Sequence, residues 1–509
     1  MPLWATLLSV SGAHDVSSDM TVGARFRTIV DQRPDACALI DGERRISFCE
    51  LSDLAIACGE FLRERLTLSP GDVVLAWLDN CVEFAASLLA VADIGAALMP
   101  VNVAWRPAEV GRLLDRMPVA GVLTRRRLRS GWDALADRVP TARVVAIDDL
   151  PLLERAGAPW KRCARRTAPG RRGARPAAIL VSSGSTGEPK VVARSHRLTV
   201  EGAAATASAL GVGSGSVFLS AVPFHHGNGL DNSLMLPLLS GATAVLLPVF
   251  SPSAFLKVIQ QHRVDACVAS PAIFDLLNRH ASGLEALAVL RVCASSGGPL
   301  APQVAREILT RTGVTVRQVY GSSETGVIAV GPAEGRSFLM AVPGVTVKVV
   351  DRSGRSLPPG VEGEIAVRRR GIARGYLCPG GGSSAFKGGF FHTGDRGSLD
   401  SSGGITLLGR LRPAINLGGT KVDPVEVENA ILSLAGVGAC RVLAAEASDT
   451  SSVVKAVVAV EEGATLTRAD VIRHCRDLLA EYKIPRLVEL VPALPRDLTG
   501  KRAVPWASE

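Results

Sequence analysis

The chain has 509 residues, a formal net charge of +9, and a composition that is 47% hydrophobic and 21% charged. This composition is ordinary for a globular protein, and the length exceeds what one compact core usually covers, so we expect at least two domains. No apolar run approaches membrane-spanning length, which argues against a membrane protein. The ten cysteines form no CxxC pair and show no metal-ligand spacing, which indicates a reducing, cytoplasmic location.

Most of the positive charge lies in one segment. Residues 155–176 contain eight Lys and Arg residues and no Asp or Glu, and they are rich in Ala, Gly and Pro. A surface that binds nucleic acid usually spreads its basic residues along one face and adds aromatic side chains. We therefore interpret this segment as a basic linker and predict no nucleic-acid partner. Docking of an acidic carrier protein stays open as an alternative.

The first part of the chain predicts a parallel sheet. Residues 1–19 have weak periodicity and are interpreted as an N-terminal extension. A hairpin at 41–45 and a helix over 49–66 follow. The pattern then alternates between strands (73–77, 97–101, 119–123 and 144–147) and a helix (81–95). Such βαβ alternation is typical of a parallel sheet covered by helices.

A second parallel sheet and two smaller parts are predicted after the linker. The second sheet has strands at 217–221, 244–247, 266–269 and 289–294 and helices at 198–210, 230–239 and 272–279. Alternation over 345–367 predicts a small antiparallel, barrel-like unit. The C-terminal hundred residues predict two helices (425–434, 467–481) and two strands (439–444, 453–460). We therefore predict an α/β fold with a large N-terminal domain (20–409) and a small, mobile α+β lid domain (410–509).

The segment Ser182-Ser183-Gly184-Ser185-Thr186-Gly187-Glu188-Pro189-Lys190 follows an apolar run at 177–181. Two glycines allow the backbone to turn with its N–H groups inward, while hydroxyls and a lysine add donors, so the segment predicts a concave anion site. It lacks the Gly-Lys-Ser/Thr ending of the common nucleotide loop. By itself, the pattern also fits a flexible Ser/Gly turn.

Further motifs follow in a fixed order. They are Pro223-Phe224-His225-His226-Gly227, Ser296-Gly297-Gly298-Pro299-Leu300, Tyr320-Gly321-Ser322-Ser323-Glu324-Thr325-Gly326, Thr393-Gly394-Asp395, Gly409-Arg410 and Gly500-Lys501. In these residues the chain resembles the adenylate-forming superfamily of acyl-CoA synthetases, peptide-synthetase adenylation domains and luciferases. The resemblance runs from about residue 20 to the C-terminus, and it favours an acyl-CoA synthetase-like member.

The resemblance implies an ATP site and a magnesium ligand. Glu324 would bind Mg²⁺, Tyr320 would stack on adenine, Gln318 would reach the base edge, and Asp395 would accept from the ribose hydroxyls. The implied ATP or AMP contacts are Ser182, Ser183, Gly184, Ser185, Thr186, Gly187, Lys190, Gly298, Gln318, Tyr320, Gly321, Ser322, Ser323, Thr325, Asp395 and Arg410. The family usually has Thr where Ser323 stands, a change that keeps the hydroxyl.

The resemblance also implies catalytic and substrate residues. Lys501 would bridge the substrate carboxylate and the α-phosphate, and Glu324 and His226 complete the predicted catalytic set. The predicted acid pocket contains His226, Asn228, Asp231, Gly297 and Gly298. Because Asp231 resembles the amino-acid-binding Asp of adenylation domains, an amino acid substrate stays open as an alternative.

The predicted function is a carboxylate–thiol ligase that releases AMP. A small carboxylic acid and ATP give an acyl-adenylate, and CoA or the phosphopantetheine of an acyl carrier protein then takes the acyl group, with Gly418 and Gly419 along the pantetheine track. The chain departs from the family at the hinge, where Arg412 and Pro413 stand, and at Val191, where Gly is usual. Since proline fixes one φ angle, a ligase limited to the thioester step is an alternative. A non-catalytic binding protein is another, and we expect a monomer or homodimer.

Overall fold

The computed structural model describes residues 20–128, 130–149, 175–182, 190–280, 282–331, 338–373, 375–378, 385–411, 415–417, 420–448, 451–461, 463–492 and 494. The helices are α1 (Val22–Gln32), α2 (Phe48–Leu66), α3 (Val82–Ile94), α4 (Pro107–Leu114), α5 (Ser130–Asp133), α6 (His196–Leu210), α7 (Leu236–Ser240), α8 (Pro252–His262), α9 (Pro271–His280), α10 (Pro302–Thr312), α11 (Pro424–Leu432) and α12 (Arg468–Leu478).

The strands are β1 (Cys37–Asp41), β2 (Arg44–Ser47), β3 (Val73–Trp77), β4 (Ala97–Pro100), β5 (Gly121–Thr124), β6 (Val144–Ala146), β7 (Pro176–Ser182), β8 (Lys190–Ser195), β9 (Val217–Ser220), β10 (Thr243–Leu246), β11 (Ala266–Ala269), β12 (Val292–Ser296), β13 (Val316–Ser322), β14 (Gly326–Gly331), β15 (Met340–Ala341), β16 (Val345–Val350), β17 (Gly363–Arg369), β18 (Phe386–Lys387), β19 (Phe390–Leu399), β20 (Ile405–Arg410), β21 (Ile415–Leu417), β22 (Thr420–Val422), β23 (Val437–Ser448), β24 (Ser451–Val460) and β25 (Leu487–Val491).

Two compact units are present. The first is built from described residues within 1–103, 114–182 and 190–412, and it contains three sheets. A six-stranded sheet has the order β6-β5-β3-β4-β7-β8, and a nine-stranded sheet has the order β15-β14-β13-β12-β11-β9-β10-β1-β2. The third sheet is antiparallel and joins β16, β17, β19, β18 and β20. Both large sheets have parallel cores, as the βαβ alternation predicts.

Helix α3 shows why the sequence folds in this way. It follows β3 and precedes β4, which pair in parallel from Val73↔Ala97 onward. A right-handed crossover helix between parallel strands packs onto the sheet. Apart from Asp93, every residue of α3 is buried, and Gly95 ends the helix in the left-handed conformation at φ 88°. The adjacent α2 begins with a capping box formed by Ser47 and Glu50.

Three predicted elements differ from the structure. The helix predicted over 467–481 ends at Leu478, because Leu479 is extended, and Glu481–Lys483 form a separate 3₁₀-helix. The helix predicted over 230–239 is a π-helix over Gly229–Met235 followed by the short α7. The N–H of Leu236 donates to Asp231 O, five residues back, and Pro237 has no N–H with which to continue an α-helical ladder. The strand predicted over 289–294 begins at Val292, because Leu284–Val289 form a 3₁₀-helix.

The second unit joins 104–113 with described residues of 413–509. Its three-stranded sheet pairs β23 with β24 antiparallel and β24 with β25 in parallel. Helices α11 and α12 contribute Val427, Ile431, Val471 and Cys475 to its core. Among the helices that the structure describes, none has both the length and the apolar composition needed to span a bilayer.

Lys483 is a buried cation in this second unit. Its Nζ donates to Glu109 Oε1 at 2.7 Å and to Glu426 Oε1 at 2.8 Å, and its side chain is 4% exposed. Burial opposes the charged form, but Tyr482 and the two carboxylates outweigh it and raise the pKa of Lys483. The three side chains therefore form a compensated buried ion cluster.

Replacement of Lys483 with methionine is expected to lower the free energy of unfolding by about 3–5 kcal/mol, because it leaves buried carboxylates without a cation. Urea unfolding followed by circular dichroism measures this loss. Lys455 in the same unit forms an exposed pair with Glu489, so Lys455→Met should cost less than about 1 kcal/mol. Equal losses for the two variants would contradict the assigned role of Lys483.

Candidate active site

The candidate site lies where neighbouring strands of the nine-stranded sheet end. Strands β9, β11, β12 and β13 run parallel, so their carboxyl ends share one edge, the place where such sheets bind ligands. The segment 221–228 follows β9, Gly297 and Gly298 follow β12, and the segment 322–325 turns the chain from β13 into β14. The motifs that the sequence spreads over a hundred residues thus meet at one edge.

Glycine is required at two points of this edge. Gly297 has φ 94°, in the left-handed region. A Cβ on Gly321 would lie 2.5 Å from Gly326 O, closer than real Cβ contacts. The turn between these strands is held by its own hydroxyls, since Ser322 Oγ lies 3.0 Å from Thr325 Oγ1 and accepts from Thr325 N. The backbone at this edge is therefore close-fitting and preorganised.

Tyr320, Asp395 and Arg410 form a hydrogen-bonded cluster. The Tyr320 hydroxyl donates to Asp395 Oδ2, and Arg410 Nε donates to Asp395 Oδ1, both at 2.7 Å. Arg410 Nη2 also donates to Thr393 O at 3.2 Å. Burial, with the Asp395 carboxylate, raises the pKa of Tyr320, so the phenol stays protonated. Burial opposes the charge on Arg410, but Asp395 outweighs it and raises the pKa of that guanidinium.

Glu324 is paired with a second tyrosine. The Tyr376 hydroxyl donates to Glu324 Oε1 at 2.7 Å, and Glu324 is buried. Burial and the Glu324 carboxylate raise the pKa of Tyr376. Lys190 Nζ lies 5.4 Å from the centroid of the Tyr376 ring. A carboxylate, a phenol and a lysine side chain therefore lie close together at this point, from Glu324, Tyr376 and Lys190.

The backbone just before the two histidines is fixed by Asn80. The Asn80 side chain donates to Val222 O and accepts from Phe224 N, which fixes the start of the segment. The His225 and His226 rings lie 4.3 Å apart between centroids. Burial lowers the pKa of His226 to about 4, and burial together with His226 lowers the pKa of His225 well below its usual range. Both imidazoles are neutral at pH 7.

Asn228 and Asp231 have protein partners. Asn228 Nδ2 donates to Ser296 O at 3.5 Å, and its Oδ1 accepts from Asn232 Nδ2 at 2.8 Å. Both carboxylate oxygens of Asp231 accept from Arg194 Nη2 at 2.9 Å. Gln318 Nε2 donates to Gly298 O at 3.1 Å. Asn228, Gln318 and Gly298 therefore line the same edge, whereas the carboxylate of Asp231 is engaged by Arg194.

Comparison with known proteins identifies the family. The sequence pattern of the AMP-binding enzymes matches residues 26–377, and that of the AMP-binding enzyme C-terminal domain matches residues 426–501. The chain belongs to the AMP-binding enzyme family. The predictions of an adenylate-forming family member and of its two-part α/β fold are confirmed.

Three proteins illustrate how far the similarity extends across this family. Indoleacetate–CoA ligase from Aromatoleum aromaticum is 31% identical over 92% of this chain and 94% of its own length. A propanoyl:CoA ligase of Mycobacterium tuberculosis, whose acid carries a methyl-dioxo-octahydroindene ring, is 29% identical over 96% and 98%. The solved amide bond synthetase McbA from Marinactinospora thermotolerans has a TM-score of 0.81 and 25% identity, covering 95% of this chain and 98% of its own.

Several predicted site residues lie outside the described residues. They are Ser183, Gly184, Ser185, Thr186, Gly187, Arg412, Pro413, Gly418, Gly419 and Lys501. The two ends of the predicted phosphate loop are described, and Ser182 pairs with Lys190 across the antiparallel strands β7 and β8. The backbone thus brings the start and the end of the loop side by side.

Sequence reasoning missed Tyr376 and Arg194. Tyr376 is one of only three tyrosines in the chain, and this rarity was the available signal. Arg194 lies four residues after Lys190 on β8, and its side chain is 1% exposed. Nothing in the local pattern distinguishes a buried arginine from a surface one.

Replacement of Tyr320 with phenylalanine is expected to weaken AMP binding about tenfold, because a hydrogen bond that orients the charged Asp395 is lost while the ring is kept. Isothermal titration of AMP measures the change. Tyr482→Phe serves as the control, since Tyr482 packs against the core of the second unit beside Lys483 and is assigned no contact with AMP. Equal AMP affinities for Tyr320→Phe and the wild type would contradict the orienting role of the hydroxyl.

The lowered pKa of His226 predicts a specific loss of stability in acid. The unfolded chain takes up a proton near pH 6.5, whereas the folded protein keeps this imidazole neutral down to about pH 4. The stability it contributes is complete above pH 6.5 and is lost as the pH falls toward 4, by up to about 1.4 kcal/mol per pH unit. Urea unfolding at pH 7 and pH 5 should therefore show a smaller loss for His226→Gln than for wild type. His280, exposed at the end of α9, supplies the control His280→Gln, and equal losses in all three proteins would contradict the prediction.

Proposed function

We propose that the protein activates a small carboxylic acid with ATP and then transfers the acyl group to CoA, releasing pyrophosphate and AMP. The proposal is supported by membership of the AMP-binding enzymes and by two relatives that are CoA ligases by name. The observation that carries it is the cluster of Tyr320, Asp395 and Arg410 at the carboxyl edge of the nine-stranded sheet.

The first half-reaction joins two anions. The carboxylate of the acid attacks the α-phosphorus of ATP, the bond to the β-phosphate oxygen breaks, and pyrophosphate leaves. Charge repulsion opposes this step, so positioning and electrostatic neutralisation supply most of the catalysis. We assign the neutralising roles to Lys190, at the end of the predicted phosphate loop, and to Lys501, which would bridge the attacking carboxylate and the α-phosphate.

The described residues fit a nucleotide. Asp395 offers a carboxylate whose two oxygens are each oriented by one donor, and each oxygen retains a lone pair for a ribose hydroxyl. Tyr320 is 8% exposed and packs in a core cluster with Ile328 and Leu339, which holds its hydroxyl rigidly against this carboxylate. Gly297, in the left-handed region, lets the backbone turn at the end of β12 beside this cluster. These features support the assignment of AMP and ATP contacts to this edge.

Glu324 fits the role of a magnesium ligand. Among the described residues, no group of three or more His, Cys, Asp or Glu side chains could hold a metal ion. Glu324 would supply one carboxylate oxygen, and phosphates and water would supply the other ligands, as is usual for Mg²⁺. When bound, Mg²⁺ supplies neutralisation of the triphosphate charge. Tyr376 holds the carboxylate of Glu324 in one orientation.

The second half-reaction needs a thiol. The CoA sulfur attacks the carbonyl of the acyl-adenylate, the carbonyl–phosphate bond breaks, and AMP leaves. We propose CoA as the acceptor because the named ligase relatives use it. Gly418 and Gly419 are assigned to the pantetheine track, and the change between half-reactions is assigned to a hinge at Arg412 and Pro413. The phosphopantetheine of a carrier protein is the alternative acceptor.

The test is product analysis with purified protein, ATP, Mg²⁺, CoA and a panel of acids that includes indoleacetate, cinnamates, benzoates, fatty acids and amino acids. Acyl-CoA and AMP in equal amounts from at least one acid are the expected result, with mass spectrometry identifying the thioester. Acyl-adenylate without thioester would instead favour a carrier protein as acceptor. Conversion only of supplied acyl-adenylate would favour the ligase limited to the thioester step, and no product from either substrate would contradict the proposal.

A further inference from the structure

Two buried arginines lie behind the turn that carries Glu324. The side chain of Arg194 on β8 is 1% exposed, and Arg369 at the end of β17 is 5% exposed. Arg194 is aligned by Asp231, whose two oxygens both accept from Arg194 Nη2 at 2.9 Å. Buried arginines are rare unless they are paired, so this cluster calls for a function.

Both guanidinium groups hold backbone carbonyls of the turn. Arg194 Nη1 donates to Ser323 O at 3.0 Å. Arg369 Nη1 donates to Thr325 O at 3.3 Å and to Val327 O at 2.9 Å. The carbonyls immediately before and after Glu324 are therefore each fixed by a different arginine, and the backbone on both sides of the carboxylate has a charged donor.

The turn also packs directly against the ion pair. Gly326 has φ +70°, and a Cβ at that position would lie 3.1 Å from Arg194 Nη2 and 3.5 Å from Asp231 Oδ2. Only glycine suits both the left-handed backbone and this close approach. A shift of the guanidinium would therefore be transmitted to the residue that ends the turn.

Stability alone does not account for the cluster. Arg194 Nε, Arg369 Nε and Arg369 Nη2 are buried and have no hydrogen-bond partner among the described residues. Burial and the nearby charge of Arg194 lower the pKa of Arg369 to about 10. Apolar side chains of similar volume often stabilise such a position as well as buried charges do. What they cannot supply is a donor to the three carbonyls.

We propose that Arg194, aligned by Asp231, and Arg369 are positioning residues that fix the turn 323–325 and thereby aim the carboxylate of Glu324 at the nucleotide site. The proposal rests on the proposed function for the role of Glu324, but the fixation of the turn does not. Asp231 then acts through Arg194 on the turn, which differs from the acid-pocket role predicted from the sequence.

The test uses Arg194→Lys and Arg369→Lys, which keep the charge but lose the fork of donors. Hydrogen–deuterium exchange of the ligand-free full chain is measured on peptides covering 322–327. We expect exchange there to rise about tenfold or more in either variant, the effect of losing a charged hydrogen bond. The two arginines bind different carbonyls of the turn. If one variant fails to fold, the exchange measured on the other variant still tests the proposal.

A matched control is Arg317→Lys. Arg317 is also partly buried and also donates to a backbone carbonyl, Ala209 O at 2.9 Å, but it does not contact the turn. Exchange over 322–327 should stay at the wild-type rate in this variant. Unchanged exchange of the turn in both arginine variants, or an equal rise over the whole protein, would overturn the proposal.

A second readout connects the turn to the chemistry. In acid-dependent ATP–pyrophosphate exchange, Arg194→Lys and Arg369→Lys should raise the Mg²⁺ concentration for half-maximal rate about fivefold or more, because Glu324 is no longer held in the orientation that binds the ion. The KM of the acid should stay within about twofold of wild type, because the acid pocket is unchanged. A raised acid KM with unchanged Mg²⁺ dependence would overturn the link to Glu324. If the wild type showed no ATP–pyrophosphate exchange with any acid, the proposed function would be contradicted. The hydrogen–deuterium exchange would still show whether the arginines fix the turn.

Discussion

Replacement of Lys501 with alanine is expected to lower the rate of acyl-adenylate formation by about 10²–10³-fold, the usual cost of removing one preorganised group that stabilises developing charge. The cation is proposed to act only when the carboxylate attacks the α-phosphorus. Transfer from supplied acyl-adenylate to CoA should therefore stay within about threefold of wild type, since that step does not need this contact.

Single-turnover assays of the two half-reactions measure both rates. Arg502→Ala is the matched control, because it removes the same charge from the next residue, and it should leave both half-reactions unchanged. A Lys501→Ala protein that forms acyl-adenylate at the wild-type rate would contradict the assignment, and so would equal losses in both half-reactions.

Replacement of Glu324 with glutamine is expected to reduce ATP–pyrophosphate exchange by about 100-fold or more at low Mg²⁺, because a neutral amide is a poor ligand for this hard cation. Glutamine keeps the volume and can still accept the hydrogen bond from Tyr376, so the fold should be retained. A titration with Mg²⁺ should show partial recovery at high concentration.

The control for this variant is Glu362→Gln. Glu362 lies in the same unit, and its side chain is 57% exposed. Its Oε2 lies 3.9 Å from Arg396 Nε, the outer limit of an ion pair. Its Mg²⁺ dependence should match that of wild type. If Glu324→Gln also followed the wild-type curve, the metal would be held elsewhere.

The fold and the edge that holds the site were accessible from sequence because both depend on local patterns. Apolar periodicity predicted the βαβ alternation, and α2 and α3 begin and end within one or two residues of the prediction. The motif at 223–227 follows the strand predicted over 217–221, and the glycines at 297–298 follow the strand predicted over 289–294. The strand before the motif at 320–326 was not predicted, and parallel pairing brings these three strand ends to one edge. The π-helix over Gly229–Met235 was missed because its composition suits an α-helix equally well.

The contacts that orient the site were not accessible, because they join distant parts of the chain. Tyr376 reaches Glu324 across 52 residues of sequence, and Arg194 reaches Ser323 across 129. No periodicity connects such positions. The sequence assigned Asp231 to the acid pocket, and its contact with Arg194 became visible only when β8 and the π-helix were folded against each other.

This AMP-binding enzyme is proposed to activate a carboxylic acid as its adenylate. Acid-dependent exchange of labelled pyrophosphate into ATP tests this activity most directly, with wild type and Lys501→Ala compared over aryl, fatty and amino acids. We predict exchange with at least one class of acid and its loss in the variant. Exchange that is absent for every acid, or that is equally fast in Lys501→Ala, would contradict the account.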